Sequence, residues 1–237
     1  MTPRLVALLA VFNDARYLAG WLDRVGSQVD AVVALDDGST DASRELLRAA
    51  PCVTRLLTVD PAEKVGWNEP LNRERLVRAG QELKGEWFIA FDADERPERR
   101  LWERMPQLLA DADRHGIDVL DFALREVWDE PDHYRSDGLW GLKRKAAVFR
   151  NLGDDHEFDP AQWHGEWYPM QCHGTDRIQK VDFDLYHLKM LHADDRRARM
   201  ERYQSVDPDA EYQSVGYDYL CDESGLQLTK ITRDRAY

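Results

Sequence analysis

Two acidic segments have residue types and spacing that could do chemistry. In Phe91-Asp92-Ala93-Asp94-Glu95 two aspartates, one residue apart, close the apolar run Trp87–Phe91. If that run is a strand, alternate side chains share a face and Asp92 and Asp94 point the same way. Paired carboxylates at the carboxyl end of a strand are hard oxygen ligands suited to Mg²⁺ or Mn²⁺, ions held by one or two carboxylates together with substrate phosphates. The competing reading is a strand–turn–helix junction in which Asp94 or Glu95 caps a helix after Pro97. The second segment, Asp36-Asp37-Gly38-Ser39-Thr40-Asp41, closes another apolar run, Ala31–Leu35. Here too a structural reading competes, because Asp-Gly is a turn signal and Ser39 or Thr40 can cap the next helix. An EF-hand is disfavoured, since Glu95-Arg96-Pro97 stands where such a loop needs glycine.

The elements that must position these acids follow from hydrophobic periodicity. Leu5–Phe12 has the length and composition of a buried strand, and Ala15–Gln28 places Leu18, Trp21, Leu22 and Val25 at helical spacing with Asp14 as N-cap. After the strand Ala31–Leu35 come a helix over Ala42–Ala49, a short strand over Val53–Val59, a charged helix over Leu71–Leu83 and the strand Trp87–Phe91. This alternation predicts an α/β domain with a mostly parallel central sheet and helices on both faces. Ligands of such sheets bind beyond the carboxyl ends of the strands, where both acidic segments fall. Past Leu101 the rhythm changes. Val119–Val127, Lys143–Phe149 and Val181–Tyr186 read as strands, Asp129–Gly138 and Asn151–Gln162 as loops, and Asp194–Tyr203 as a charged helix. Residues 206–237 have weak periodicity, and no internal repeat is present.

Composition narrows the partners. The 237 residues carry 32 Lys+Arg against 45 Asp+Glu, a net charge of −13, with 43 % hydrophobic residues. A chain this anionic lacks the basic face that a general nucleic-acid binder needs. Three widely spaced cysteines, Cys52, Cys172 and Cys221, form no Cys-x-x-Cys pair, so a reducing, cytoplasmic setting is expected. No apolar stretch approaches the ~20 residues of a membrane-spanning helix. The turn Phe12-Asn13-Asp14-Ala15 has no glycine, and no P-loop, His-Glu-x-x-His or Gly-x-Ser-x-Gly pattern occurs.

Three segments in order, Ala10-Val11-Phe12-Asn13-Asp14, Asp36-Asp37-Gly38-Ser39-Thr40-Asp41 and Gly85-Glu86-Trp87-Phe88-Ile89-Ala90-Phe91-Asp92-Ala93-Asp94-Glu95, resemble glycosyltransferase family 2. The resemblance covers about residues 4–100 well and 140–192 more loosely. It implies a single Rossmann-like domain of the A-type glycosyltransferase fold over 1–237, with a nucleotide-binding half (1–100), an acceptor-binding and catalytic half (101–205) and a C-terminal extension (206–237). It further implies a nucleotide-diphosphosugar donor, most often UDP-linked, and a hydroxyl acceptor on a glycan, a lipid-linked sugar or a small metabolite. By motif match Ala10, Val11, Phe12 and Asp14 would line the base pocket, Asp36 or Asp37 would accept from the base, and Asp92, Ala93 and Asp94 would face ribose, metal and diphosphate. Arg73 and Arg75 could contact phosphate or sugar; a solvated helix face with a Glu69–Arg73 pair is the competing reading. His187 would be a further ligand to Mg²⁺ or Mn²⁺, with His164 its rival, and Lys189 or Arg196 could approach phosphate. Charge arithmetic favours a cation independently, because a diphosphate would otherwise meet several carboxylates on an anionic protein.

For the base of an inverting reaction the nearest match is Glu166 in Gly165-Glu166-Trp167, with Asp155 behind it; the family's usual Asp is replaced by Trp167. A carboxylate between Trp163 and Trp167 would have a raised pKa through desolvation. The processive synthases' Gln-x-x-Arg-Trp motif is absent, so transfer of a single sugar is expected. Two rivals stand beside this reading: a haloacid-dehalogenase-type phosphatase with Asp92 as nucleophile, and a catalytically degenerate nucleotide-sugar-binding protein.

Overall fold

The computed structural model describes residues 4–62, 68–161, 165–211 and 215–237. In chain order they form β1 (Leu5–Val11), α1 (Ala15–Arg24), β2 (Ala31–Asp36), α2 (Ser43–Ala49), β3 (Val53–Thr58), α3 (Glu69–Glu82), β4 (Trp87–Ile89), β5 (Glu95–Pro97), α4 (Arg100–His115), β6 (Val119–Glu126), β7 (His133–Arg135), β8 (Arg144–Arg150), β9 (Ile178–His187), α5 (Ala193–Val206) and β10 (Leu228–Lys230). Eight strands make one sheet in the order β3-β2-β1-β4-β8-β6-β9-β5. The half built by the first four strands is parallel throughout. Beyond it β8 runs antiparallel to both β4 and β6, β9 is parallel to β6, and β5 closes the edge antiparallel to β9.

The central strands are apolar along their whole length because both faces are covered. Leu5, Ala7, Leu9 and Val11 of β1 pack with Leu18 and Trp21 of α1, Leu47 of α2 and Leu101, Met105 and Leu109 of α4. Val6 and Leu8 point the other way, onto Leu76, Val77 and Ala79 of α3. Helix α3 can sit this close because Gly80 has no side chain: a Cβ there would lie 2.7 Å from the Phe88 ring.

The structure departs from the sequence reading at several places. β4 ends at Ile89 rather than Phe91, so the chain carrying both aspartates leaves the strand before it reaches them. The helix after Pro97 exists as α4, with Leu101, Met105, Leu109 and Ala112 buried, but its N-cap position is Arg99 and neither Asp94 nor Glu95 caps it. Gly116, at φ +69°, ends that helix in the left-handed conformation that glycine adopts without strain. Helix α1 stops at Arg24, and a 3-10 turn covers Gly26–Gln28.

The described residues of the segment 206–237, which shows little periodicity, are held by packing against the rest of the chain. Tyr217 and Leu220 cluster with Trp128, Trp140 and Met190. β10 pairs antiparallel with β7, and Tyr237 packs on Tyr186 with ring centroids 5.1 Å apart. Arg235 reaches Glu98 and Asp182 at 3.0 and 2.7 Å. No helix among the described residues is long and apolar enough to cross a membrane.

Candidate active site

A cleft of about 720 Å³ opens beyond the carboxyl ends of the parallel strands. Its first wall is the end of β1. Ala10, Val11, Phe12 and Asp14 line it, together with Asp37. Asn13, in the left-handed region at φ 55°, turns its carboxamide oxygen to accept from Thr40 N (2.8 Å) and Asp41 N (3.3 Å), which ties the loop after β1 to the loop after β2. Asp14 occupies the N-cap position of α1 yet makes no capping bond. Asp41, from the neighbouring loop, accepts from Ala15 N at 3.1 Å instead, and the Asp14 carboxylate accepts from Lys189 Nζ at 3.2 Å. Desolvation pushes Asp14 above the usual carboxylate range, against the pull of Lys189.

Of the two candidates at the end of β2, Asp37 faces the cleft. Asp36 is completely buried beneath it, accepting from Ser39 N (3.2 Å) and Arg44 Nε (2.5 Å), so it shapes the turn.

Asp92, Ala93 and Asp94 all line the cleft, but the two carboxylates have different partners. Asp92 accepts from Lys145 Nζ at 2.7 Å. Lys145 also binds Glu95 at 2.7 Å, and Glu95 accepts from Asp92 N at 2.8 Å. Burial pushes Glu95 up to about 7, despite Lys145. Asp94 lies 3.3 Å from His187 Nε2 and 3.9 Å from Lys189 Nζ. Strand register explains that approach: β9 lies between β6 and β5, which sets His187 opposite both Glu126 and Glu95. His187 Nδ1 is 2.6 Å from Glu126, whose other oxygen accepts from Lys143 at 2.7 Å. Burial works against charge at His187, but Glu126 and Asp94 overcome it and raise its pKa to about 10. The reciprocal pull of His187 overcomes burial at Asp94 and Glu126, and holds both below the usual range.

Among the described residues no group of three or more His, Cys, Asp or Glu forms a ready-made ion cage. Asp94 and His187 nevertheless fit a shared cation. Their facing atoms are 3.3 Å apart, about the separation of adjacent ligands around one small ion. Glu126 on the far ring nitrogen fixes the imidazole as carboxylates do behind metal-bound histidines. A metal would take the place of the proton that His187 otherwise keeps. Asp92, expected as a further ligand, is engaged by Lys145 instead.

Glu166 and Trp167 form another part of the wall. Glu166 N donates to Asp159 Oδ2 at 2.7 Å, and desolvation followed by the Asp159 charge raises the Glu166 pKa. Asp155 lies apart from the cleft, exposed on a 3-10 turn, Gly153–Asp155. Arg73 lines the cleft but spends its donors on the carbonyls of Asp159 (3.1 Å) and Ala161 (2.8 Å), with Glu69 at 3.3 Å; it clamps the strap leading to Glu166. Arg75 is exposed and outside the cleft. Arg196 is buried against Trp128 and bound to Asp129 and Glu223, outside the cleft lining; Arg199, three residues on, lines the cleft. Trp163 and His164 lie outside the described residues. Glu126, Lys145 and Arg199 were missed by sequence reasoning; Glu126 is one of three charged residues in the run Val119–Val127, with Asp121 and Arg125, and only the pairing of β6 with β9 singles it out.

No protein-family model matches the chain. An uncharacterized protein of Mycobacterium tuberculosis is 27 % identical over 242 residues, covering 94 % of this chain and 57 % of that protein, and a Mycobacterium bovis protein matches equally. The chain thus spans little more than half the length of these curated relatives. Among solved structures, Staphylococcus aureus TarS 1–349 superposes with a TM-score of 0.55 at 16 % identity, over 93 % of this chain and 70 % of that one. A mannosyltransferase of Pyrobaculum calidifontis, solved with GDP-Man and Mn²⁺, gives 0.53 at 18 % identity over 87 % and 62 %. The chain has the A-type glycosyltransferase fold. On that fold, the mixed sheet reaches β9 and brings His187 beside the Asp-x-Asp segment.

Proposed function

We propose that the protein is a metal-dependent, non-processive glycosyltransferase that moves one sugar from a nucleotide-diphosphosugar, UDP-linked by preference, to an acceptor hydroxyl with inversion. The observation that carries this reading is the convergence, in one cleft, of Asp37 and the end of β1 with the Asp94–His187 pair. Ala10, Val11, Phe12 and Asp37 would receive the nucleoside. Asp94 and His187 would hold Mg²⁺ or Mn²⁺, which when bound neutralises the departing diphosphate. Lys189 stands between Asp14 and Asp94 and adds positive charge at the same point.

Glu166 is the proposed base. It accepts the proton of the acceptor hydroxyl, whose oxygen forms a bond to the anomeric carbon as the bond to the diphosphate oxygen breaks. Its raised pKa, set by desolvation, brings the group nearer to neutrality, where proton transfer is most effective. The acceptor, whether glycan, lipid-linked sugar or small metabolite, would enter beside Trp167 and Tyr219, both on the cleft wall. The test is a thermal-shift panel of nucleotide-diphosphosugars with and without Mn²⁺, followed by transfer assays. A donor should raise the unfolding temperature only weakly without metal, and Asp94→Ala should lower transfer by at least about 10²-fold. Unchanged turnover in Asp94→Ala with metal present would overturn the reading.

A further inference from the structure

Between β4 and β5 the chain that carries the two aspartates is largely buried, and its peptide groups need partners from outside the sheet. Phe91 O accepts from Trp21 Nε1 of α1 at 3.1 Å, and Asp92 O accepts from Glu95 N at 2.9 Å. Asp94 O accepts from the N–H of Leu188, the residue after His187, at 2.8 Å. The carbonyls of Ala93 and Glu95, on either side of Asp94, both accept from Arg96 Nη1, at 2.8 and 2.7 Å. Arg96 Nη2 donates to the Tyr17 carbonyl of α1 at 2.6 Å.

One guanidinium thus serves three carbonyls on two elements. Arg96 is 5 % exposed and passes α1 at Gly20, where a Cβ would lie 3.0 Å from Nη2. Burial disfavours its charge, and Asp94 is foremost among the charges that offset that burial. A lysine could not take its place, because a single ammonium lacks the planar fork that spans separated acceptors.

We propose that Arg96 is a positioning residue of the candidate cation site: braced on α1, it holds the loop so that the Asp94 carboxylate stands against His187. This rests on the reading of Asp94 and His187 given above. Arg96 itself touches neither the ion nor the donor. The sign of its effect separates position from charge. A positive side chain near a cation site repels the cation, so on charge alone its removal would tighten metal binding. A positioning role predicts the opposite.

Mn²⁺ titration of the full chain, with the free ion read by electron paramagnetic resonance, tests it beside calorimetry with metal-free UDP and GDP. Arg96→Met should weaken Mn²⁺ binding about 10–100-fold, the range for residues that orient metal ligands. Metal-free nucleotide binding should be unchanged, since the wall proposed for the nucleoside lies at the ends of β1 and β2. Arg96→Lys, which keeps the charge and loses the fork, should fall between. Gly20→Ala crowds the guanidinium without removing it, and alanine favours the helix more than glycine does. Its urea midpoint should therefore hold while Mn²⁺ binding weakens, which decides the matter even if Arg96→Met does not fold. Mn²⁺ binding that is unchanged or tighter in the folded variants overturns the inference while the donor reading stands. So does an equal loss of Mn²⁺ and nucleotide, the mark of a merely structural role. Failure of the unaltered protein to bind Mn²⁺ or either nucleotide overturns both.

Discussion

At Glu166 the chemistry depends on a single carboxylate held away from water. The group works as a base only when ionised, and desolvation shifts its titration upward from the ordinary carboxylate value. Transfer should therefore fall as pH drops through a point above that ordinary value and level off above it. Replacing Glu166 by Gln should remove that acid limb and lower kcat by about 10²–10⁴-fold while donor affinity is kept. A pH–rate profile of both proteins checks this; an identical limb in Glu166→Gln would assign it to another group. Arg73 illustrates how residue type alone misleads. An arginine near an Asp-x-Asp strand reads as a phosphate ligand, but here two backbone carbonyls claim it.

The strap around Asp159–Ala161 and Glu166 depends on α3. Arg73 projects from that helix into the strap, and Gly165 lies so close that a Cβ would stand 2.2 Å from the guanidinium. Gly165→Ala should therefore push Arg73 off its carbonyls and shift Glu166. Overpacking of this kind costs about 1–3 kcal/mol, readable as a lower urea midpoint with an unchanged slope. Transfer should fall more steeply than donor binding, because the donor wall on β1 and β2 is untouched; equal losses would place Gly165 in the donor site. Asp14 and Asp41 make a similar point between loops: a cap supplied by one loop leaves the other loop's acid for the cleft.

For the whole molecule, acid stability should bear the mark of a histidine that does not line the cleft. His156 is buried between Phe149 and Phe158, with ring centroids 5.9 and 4.4 Å away, and neither ring nitrogen has a hydrogen-bond partner among the described residues. Desolvation, then the Arg78 charge, lowers its pKa to about 4. A histidine depressed in the folded state is neutral there and must charge on unfolding. Its stabilising contribution is whole above its ordinary value of 6.5 and is lost as pH falls from there to about 4. Chemical denaturation at a series of pH values should show stability declining across that window, and His156→Phe should flatten the decline. An unaltered decline would trace the acid sensitivity to other groups.

Much of the nucleotide half was legible in the sequence. Apolar runs of strand length alternate with helical patterns from Leu5 to Ile89, and strands buried on both faces must be apolar throughout, so periodicity alone found them. The acidic segments at strand ends were readable for the same local reason. Of the later strands β6, β8 and β9 were found; the three-residue β5, β7 and β10 were not, β7 lying in the segment Asp129–Gly138 that reads as a loop, because strands this short are set by their partners rather than by periodicity. Pairing was not legible either, and pairing decides the site. His187 meets Asp94 and Glu126 only because β9 inserts between β5 and β6, a contact between residues far apart in the chain. The choice of Asp37 over Asp36, the diversion of Arg73 and Arg196, and the aim of Arg199 into the cleft were likewise settled by neighbours. Local sequence fixes which groups the chain can offer; long-range register and packing decide which of them face one another and which find a partner elsewhere.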